Sequence, residues 1–173
     1  MMILITGGSK CGKSSLAERL LQNISENKYY FATMKPFGTD AQEAITRHQE
    51  MRRNKNFITI EQYTDIDKIN LPEHSAVLLE CMGNLCANEM FQNDKNLYPV
   101  EKIIKNLKSL HSMTDMLVIV TNEVGMDGIT YSAGTMQYIS AMAELNQKTA
   151  QMADTVIECV CGIPLVMKGK MPC

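Results

Sequence analysis

Short apolar runs alternate along the chain with stretches of helical periodicity. Met2–Thr6, Ala76–Glu80 and Met116–Thr121 are continuous apolar runs closed by polar residues. Such runs are typical of strands that are buried on both faces of a parallel sheet. Between the last two, Val100–His111 carries apolar residues three or four positions apart, which predicts an amphipathic helix. The alternation favours an α/β fold with right-handed crossovers between parallel strands.

The remaining predicted elements complete an open, mostly parallel sheet flanked by helices. Further helices are predicted at Gly12–Gln22, from Thr39 or Asp40 to about Asn54, and at Ser132–Ala153. Further strands are predicted at Tyr29–Thr33, Phe57–Glu61, Thr155–Val160 and Leu165–Met167, with a hairpin around Gly162–Pro164. No interdomain linker or internal repeat interrupts the pattern, so we expect a single domain over residues 1–173.

Composition and charge exclude several classes of function. Hydrophobic residues make up 45% of the chain and charged residues 21%, which is ordinary for a globular protein. A formal net charge of −2 gives no basic field for nucleic acid. No apolar run approaches the roughly 18 residues of a membrane span, and the N-terminus lacks the basic leader of a signal peptide. We therefore expect a cytoplasmic protein with no nucleic-acid partner and no membrane span.

Six cysteines are scattered along the chain, and no pair has CxxC spacing. In a cytosolic protein this distribution favours free thiols over a disulfide framework. Cys159 and Cys161 stand two positions apart at the end of an apolar run, so both are expected on one face of a strand. We interpret them there as buried small hydrophobes, with a metal pair as the less favoured alternative.

The segment Gly7–Ser14 matches the phosphate-binding pattern G-x-x-x-x-G-K-[S/T]. A strand is predicted before it and a helix after it, and the mechanism needs both, because backbone N–H groups and the helix N-terminus together hold the phosphates. In this interpretation Lys13 reaches the β- and γ-phosphates and Ser14 ligates Mg²⁺. The alternative is a glycine-rich turn with an exposed lysine. The sequence predicts a P-loop NTPase-like (RecA-like) domain that binds a nucleoside triphosphate and Mg²⁺.

A second acidic residue, at the end of a neighbouring strand, usually manages the magnesium shell of such a loop. Two residues qualify by position: Glu80 follows one buried strand and Glu123 follows another. Each has the alternative of being an ordinary strand-end residue that faces solvent. The spacing leaves the choice between them open.

His48 shares a face of its predicted helix with Ile45 and Met51. This placement is typical of a partly buried, hydrogen-bonded histidine, which the spacing by itself favours. Nearby arginines at 47, 52 and 53 support a second interpretation. There a neutral imidazole attacks a phosphorus atom, and the arginines offset the phosphate charge in the transition state.

Taken together, these segments resemble the bifunctional adenosylcobinamide kinase / adenosylcobinamide-phosphate guanylyltransferase family of cobalamin assembly. The resemblance covers nearly the whole chain and rests on pieces that occur in the same order: MILITGGSKCGKSSLAE, YFAT, ITRHQEMR, TIE, LLECMGNLCAN, TNEVGM, LNQ with the following AD, and GIPLVMK. The phosphate loop alone is generic. NEVG after the last central strand, together with the histidine helix, is much more specific.

The resemblance implies an enzyme that phosphorylates a hydroxyl of adenosylcobinamide with ATP or GTP and then transfers GMP from GTP to that phosphate. In this family the second step passes through a guanylylated histidine, and the matching residue here is His48. The resemblance therefore implies that His48 and Lys13 are the catalytic residues. The family's nucleotide contacts correspond to Gly8, Ser9, Lys10, Cys11, Gly12, Lys13, Ser14, Ser15, Ala32, Thr33, Met34, Gln49, Glu50, Met51, Arg52, Glu61 and Glu80. The resemblance favours Glu80 over Glu123, and it implies a homotrimer with a corrinoid substrate.

The chain departs from the family pattern at several positions. Ala44 replaces an arginine, Phe57 replaces a tryptophan, and segment 126–134 lacks the arginines that usually open the next helix. Two alternatives therefore stay open: a monofunctional P-loop kinase of a small molecule, with His48 as a relic, and a GTP-binding regulatory protein without transferase activity. The lack of an N/T-K-x-D stretch argues against an ordinary GTPase switch.

Overall fold

The computed structural model describes residues 1–22, 27–36, 46, 55–92 and 97–172. Its strands are β1 (Met2–Thr6), β2 (Asn27–Ala32), β3 (Phe57–Glu61), β4 (Ser75–Glu80), β5 (Met116–Val120), β6 (Thr155–Val160) and β7 (Ile163–Lys168). Its helices are α1 (Lys13–Leu21), α2 (Met82–Met90), α3 (Val100–Ser112) and α4 (Ala133–Met152), with a 3₁₀ turn at Ile66–Lys68.

The seven strands form one sheet in the order β3-β2-β4-β5-β1-β6-β7. Neighbouring strands are parallel except for the antiparallel pair of β6 and β7. The prediction of a mostly parallel open α/β sheet flanked by helices is therefore confirmed. The helix predicted between β2 and β3 lies outside the described residues apart from Thr46, which is helical.

β1 shows how the sheet divides the core into two layers. Met2 and Leu4 pack with residues of α2, α3 and α4, whereas Ile3 and Ile5 pack with residues of α1. This follows from strand geometry, because successive side chains point to opposite faces. All of β5 and all of β4 up to Leu79 are buried. Burial on both faces explains why these strands are continuous apolar runs in the sequence.

The helix α2 has no counterpart among the predicted elements. Its buried residues Met82, Leu85, Cys86 and Met90 do have helical spacing. The helix is only nine residues long and contains a glycine and two asparagines, which are poor helix formers. Tertiary packing of this short apolar stripe outweighs the weak local propensity.

The expectation for the two cysteines of β6 is wrong for one of them. Cys159 is buried, but the strand ends at Val160, and Cys161 lies exposed in the turn. Cys161 has φ 50° and Gly162 has φ 83°, which is the pattern of a two-residue hairpin turn in which both residues have positive φ. The five described cysteines are free thiols, as predicted.

Among the described helices, none is long and apolar enough to cross a bilayer. The described residues also contain no group of three or more histidine, cysteine or acidic side chains placed to hold a metal ion.

Candidate nucleotide site

Two of the predicted acidic residues, Glu61 and Glu80, lie at the carboxyl ends of the parallel strands. Ala32 is in register with Glu61 on one side and with Glu80 on the other. Glu80 is in register with Val120, and Val120 with Ile5. These five residues form one row at the carboxyl ends of the parallel strands, where α/β sheets bind ligands. From β3 to β1 the row crosses four strand spacings, about 19 Å in all.

The phosphate loop occupies the β1 end of this row. Gly7 has φ 134° and Gly12 has φ 101°, conformations that favour glycine. A Cβ atom on Gly7 would also lie 2.5 Å from the carbonyl oxygen of Cys159, so a side chain there cannot be accommodated without a shift of the backbone. The loop leads into α1, whose first N–H groups have no acceptor within the helix. These N–H groups and the positive end of the helix dipole are suited to an anion.

The ammonium group of Lys13 is held inside the loop. Its Nζ donates to the carbonyl oxygens of Gly7 at 2.9 Å and of Gly8 at 2.5 Å. The residue is only 6% exposed. A buried cation needs such partners because its desolvation is costly. A phosphate that enters the loop would compete with these two carbonyl oxygens for the Lys13 ammonium group, which is already inside the loop.

Ser14, the next residue, connects the loop to β4. Its hydroxyl donates to Oε1 of Glu80, and Oε2 of the same carboxylate is buried with no hydrogen-bond partner in the described part of the chain. A buried carboxylate oxygen without a partner is unfavourable, so this position favours an additional cation or donor. Hydroxyl and carboxylate oxygens are the hard ligands that Mg²⁺ takes beside nucleotide phosphates. The donor set fits a magnesium ion.

Glu123, the other acid at a strand end, has a different surrounding. It follows β5 and is exposed, and its Oε1 accepts a hydrogen bond of 3.2 Å from the hydroxyl of Thr6. β5 is the strand adjacent to β1, whereas β4 is one strand further away. Ser14 nevertheless contacts Glu80, because α1 packs across β1, β5 and β4. The structure therefore brings the serine of the loop to Glu80.

Thr33 fixes the backbone that follows Glu80. Its hydroxyl accepts a hydrogen bond from the N–H of Cys81 at 2.6 Å and donates to the carbonyl oxygen of Cys81 at 2.9 Å. The N–H of Thr33 donates to the carbonyl oxygen of Glu80 at 3.1 Å. Thr33 is fully buried, and its side chain holds the Cys81 backbone in place through these hydrogen bonds. Ala32 and Met34, its neighbours in the predicted contact segment, are half-buried.

Asn88 joins the ends of β2 and β3, and it is absent from the predicted site. Its side-chain amide donates to the carbonyl oxygens of Thr33 at 2.8 Å and of Tyr63 at 3.1 Å. The hydroxyl of Tyr63 in turn donates to Glu61 at 2.8 Å. Burial, and then the hydrogen bond to Glu61 and its charge, raise the pKa of Tyr63. Asn88 is the last residue of the piece LLECMGNLCAN, but it lies on α2, a helix that the sequence pattern did not predict, so no role was predicted for it from the sequence.

The NEVG and LNQ segments of the sequence contact each other. The hydroxyl of Thr121 donates to Oδ1 of Asn146 at 2.7 Å, and Nδ2 of Asn146 donates to the carbonyl oxygen of Asn122 at 3.2 Å. Gly125 has φ 75°, and a Cβ atom there would lie 2.6 Å from Cγ2 of Ile139. These contacts attach the loop after β5 to α4. The two motifs therefore form one structural unit beside the phosphate loop.

Several predicted site residues cannot be placed. His48 lies outside the described residues, and so do the four residues Gln49, Glu50, Met51 and Arg52. In the sequence this segment falls between β2, which ends directly before Thr33, and β3, which ends at Glu61. In the phosphate loop, Gly8, Ser9, Lys10, Gly12 and Ser15 are exposed, and Cys11 is half-buried.

Comparison with known proteins extends over almost the whole chain. The family model for cobinamide kinase / cobinamide phosphate guanyltransferase, CobU, matches residues 3–167. The bifunctional adenosylcobalamin biosynthesis protein CobU of Escherichia coli is 30% identical, over 97% of this chain and 100% of its own length. CobU of Salmonella typhimurium is 28% identical over the same shares, and CobP of Pseudomonas aeruginosa is 26% identical over 98% and 99%.

Solved structures with low sequence identity share the fold. The ATPase domain of a helicase superposes with a TM-score of 0.52 at 12% identity, covering 91% of this chain and 68% of that domain. An ATPase of a type III secretion system has a TM-score of 0.50 at 10% identity, covering 91% of this chain and 50% of its own. This confirms the predicted P-loop NTPase-like fold. The family match over residues 3–167 and the relative of 30% identity show that the chain belongs to the cobinamide kinase / cobinamide phosphate guanyltransferase family.

Proposed function

We propose that this protein phosphorylates adenosylcobinamide and then transfers GMP from GTP to that phosphate. The observation that carries the proposal is the phosphate loop with its Ser14–Glu80 pair, in a chain that matches the family from residue 3 to residue 167. A phosphate loop alone is shared by many NTPases. Relatives that align over their full length are named bifunctional, which disfavours a monofunctional kinase or a GTP-binding regulator.

In the kinase step, ATP or GTP places its phosphates against the loop that spans residues 8–15. Lys13 leaves the carbonyl oxygens of Gly7 and Gly8 and contacts the β- and γ-phosphates. Ser14 and Glu80 would hold Mg²⁺, which neutralises charge on the phosphates when it is bound. We assign this role to Glu80 rather than Glu123, because Glu80 contacts the loop serine and has a buried oxygen with no hydrogen-bond partner among the described residues. The chain positions the reacting groups, and positioning with electrostatic stabilisation accounts for most of phosphoryl-transfer catalysis.

In the transfer step, we assign the GMP carrier to His48. An imidazole nitrogen attacks the α-phosphorus of GTP, and the bond to pyrophosphate breaks. An oxygen of the corrinoid phosphate then attacks the same phosphorus, and the imidazole leaves. The remaining nucleotide contacts would come from segments 32–34 and 49–52 and from Glu61. Segment 32–34 and Glu61 lie at the ends of β2 and β3, the strands on either side of His48 in the sequence.

The loop between β5 and α4 is a candidate contact for the corrinoid or for a neighbouring subunit. Met126, Ile129 and Tyr131 are exposed there by 82%, 58% and 39%. Tyr131 donates a hydrogen bond to Asp127, which holds the loop in shape. Exposed apolar side chains grouped beside a polar site are typical of binding surfaces.

We also propose a cytoplasmic homotrimer. β7 is an edge strand whose residues Ile163, Leu165, Val166 and Met167 are exposed. Long apolar edge strands are usually covered by another element or another chain. Sedimentation velocity on the full chain tests the assembly state, with a trimer expected and a monomer at micromolar concentration contradicting it.

The transfer step is tested by incubating the protein with Mg²⁺ and GTP labelled at either the α- or the γ-phosphate. We expect label from α-labelled GTP to stay on the denatured chain, label from γ-labelled GTP to be lost, and His48→Ala to retain neither. The control variants are His74→Ala and His111→Ala, since His74 directly precedes β4 and His111 lies in the last turn of α3, before β5, so that both are at the amino ends of the strands. No retained α-label in the unaltered protein would contradict the guanylyl step. The kinase step would still be measurable as transfer of the γ-label to the corrinoid.

A further inference from the structure

Two thiol groups meet behind the phosphate loop. Cys11 stands directly before Gly12 and is half-buried, and Cys159 of β6 is 1% exposed. The Cys159 thiol donates to the carbonyl oxygen of Cys11 at 3.1 Å. On the other side, Nζ of Lys13 lies 3.8 Å from Sγ of Cys11. The Cys11 sulfur therefore lies beside the ammonium group that is expected to bind the phosphates. The Cys159 sulfur contacts the backbone of the same loop.

Each sulfur lies close to a glycine of the phosphate loop. A Cβ atom on Gly7 would lie 3.1 Å from Sγ of Cys11, and one on Gly12 would lie 3.7 Å from Sγ of Cys159. The N–H of Gly162 also donates to the carbonyl oxygen of Cys11 at 2.9 Å, which ties the loop to the β6–β7 turn. The phosphate loop therefore contacts β6 and the following turn at the position of the two thiols.

The two thiols differ in accessibility. Burial, and then the hydrogen bond with the neighbouring Cys11 thiol, raise the pKa of Cys159. Cys159 therefore stays protonated near neutral pH and is shielded from solvent. Cys11 is the partner that a dissolved oxidant reaches, and Cys159 is placed to react with it next.

We propose that Cys11 and Cys159 form a reversible disulfide, so that this pair is an oxidation site through which peroxide disables the phosphate loop. The inference goes beyond the proposed function, because it requires nucleotide binding and neither transfer step.

The chemistry balances with hydrogen peroxide as the oxidant. The sulfur of Cys11, as thiolate, attacks one peroxide oxygen, the O–O bond breaks, and the hydroxide released takes up the thiol proton to form water. The sulfur of Cys159 then attacks the sulfenic sulfur of Cys11, the S–O bond breaks, and hydroxide leaves with the Cys159 proton as a second water. Two thiols are oxidised and one peroxide is reduced to two waters. A small dithiol reverses the bridge by exchange.

The bridge would displace the loop. A disulfide brings its sulfurs to about 2.0 Å, far closer than two thiols in contact. β6 is paired with β1 on one side and β7 on the other, so the strand is fixed and the loop must move. A displaced loop takes its N–H groups and Lys13 away from the phosphates, and each charge-assisted hydrogen bond that is lost reduces affinity roughly tenfold or more. We expect oxidation to weaken triphosphate binding at least about tenfold.

The other described cysteines are less suited to this bridge. Cys161 is exposed in the turn after β6, and Cys86 is buried in the opposite core layer, where burial raises its pKa to about 12. The side-chain amide of Asn122 contacts Cys81 Sγ at 3.9 Å, on the other side of β1 from β6. Cys161→Ser is the matched control, because it removes a nearby thiol that takes no part in the proposed pair.

The experiment treats the full chain with hydrogen peroxide, removes the peroxide, and titrates a fluorescent ATP analogue in the presence of Mg²⁺. Peptide mapping under non-reducing conditions identifies the linked cysteines. We expect a peptide that links Cys11 to Cys159, weaker binding by at least about tenfold, and full recovery with dithiothreitol. Bound ATP should slow formation of the link. Failure of the reduced protein to bind the analogue at all would instead contradict the proposed function.

Variants separate the disulfide from oxidation of one thiol. Cys159→Ser keeps a donor to the Cys11 carbonyl, so it should bind the analogue when reduced and keep that affinity after peroxide. Cys159→Ala serves as a second variant should the serine prevent folding. Cys161→Ser should respond to peroxide as the unaltered protein does. The proposal is overturned by absence of the Cys11–Cys159 peptide, by a link that leaves affinity unchanged, or by equal loss in Cys159→Ser.

Discussion

Substituting valine for Thr33 removes one hydroxyl group from the carboxyl edge of the sheet and keeps the shape of the side chain. In the structure this hydroxyl is bonded to both the N–H and the carbonyl oxygen of Cys81, at 2.6 and 2.9 Å. The residue has no solvent-exposed surface. Water therefore cannot replace the hydroxyl without opening the packing between β2 and β4.

The expected cost follows from the N–H of Cys81, which loses its partner, because the carbonyl oxygen of Cys81 keeps a hydrogen bond of 3.1 Å from the N–H of Leu85. Each buried polar group left unsatisfied costs about 1–3 kcal/mol. We expect Thr33→Val to lower the free energy of unfolding by about 2 kcal/mol, which is about 6 °C in melting temperature for a chain of this size. Thr33→Ser is the matched control: it keeps the hydroxyl, loses one methyl group, and should cost about 1 kcal/mol.

The substitution should also affect nucleotide binding. The Cys81 peptide follows Glu80 directly, so a loosened peptide lets the carboxylate move away from Ser14. We expect the affinity for Mg²⁺-ATP to fall about tenfold in Thr33→Val, the equivalent of losing one good hydrogen bond, and to be unchanged in Thr33→Ser. Urea unfolding measures the first effect, and titration of the folded protein with a fluorescent ATP analogue measures the second.

Two results would refute this reasoning. If the free energy of unfolding of Thr33→Val lay within about 0.5 kcal/mol of that of the unaltered protein, the hydroxyl would not be needed to satisfy the Cys81 peptide. Substitutions without structural consequence usually fall within that range. Equal destabilisation by valine and serine would assign the effect to packing rather than to hydrogen bonding.

The remaining predictions concern the stability of the fold. Hydrogen bonds from Lys102 and then Lys68 lower the pKa of Asp65, so its stabilising contribution is present above its unfolded pKa and is lost as the pH falls through the lower folded value. Asp65→Asn should therefore destabilise by about 1 kcal/mol at pH 6, measured by urea unfolding, and by less at pH 3. Gly125→Ala combines φ 75° with a clash against Ile139 and should lower the free energy of unfolding by about 2–3 kcal/mol.

Each of these has its own control. In a Lys102→Met background the pH-dependent cost of Asp65→Asn should shrink, and an unchanged cost would show that the pair is unimportant. For the glycine, Gly128→Ala is the comparison, because Gly128 has φ 72° with no atom within 4 Å of an added Cβ. Gly128→Ala should cost only the backbone strain, about 1 kcal/mol. Equal effects of the two glycine substitutions would rule out the contact with Ile139.

The sequence predicts the sheet well because its central strands are buried on both faces. β4 and β5 appear as continuous apolar runs for this reason, and the phosphate loop is recognised because strand, glycines and helix occur in a fixed order. α2 was missed because a nine-residue helix with a glycine and two asparagines owes its stability to packing rather than to local propensity. Cys161 was misplaced because the strand ends one residue earlier than its apolar pattern.

The arrangement of the site depends on how elements cross in space. Glu80 and Glu123 are equivalent in the sequence, since each ends or follows a buried strand. The path of α1 across the sheet distinguishes them, because it places Ser14 against Glu80 while Glu123 contacts Thr6. Strand order and helix direction depend on contacts between residues far apart in the sequence, so local periodicity does not predict them. For the same reason the role of Thr33 on the Cys81 peptide could not be read from the YFAT segment.

Product formation tests the central claim most directly. The full chain is incubated with adenosylcobinamide and Mg²⁺, with ATP alone or with ATP and GTP, and the corrinoids are separated and identified by mass. We predict a phosphorylated corrinoid with ATP alone and its GDP-activated form when GTP is added. Both products should be lost in Ser14→Ala, and only the second in His48→Ala. Recovery of unaltered adenosylcobinamide under both conditions, from protein that binds Mg²⁺-ATP, would contradict the account.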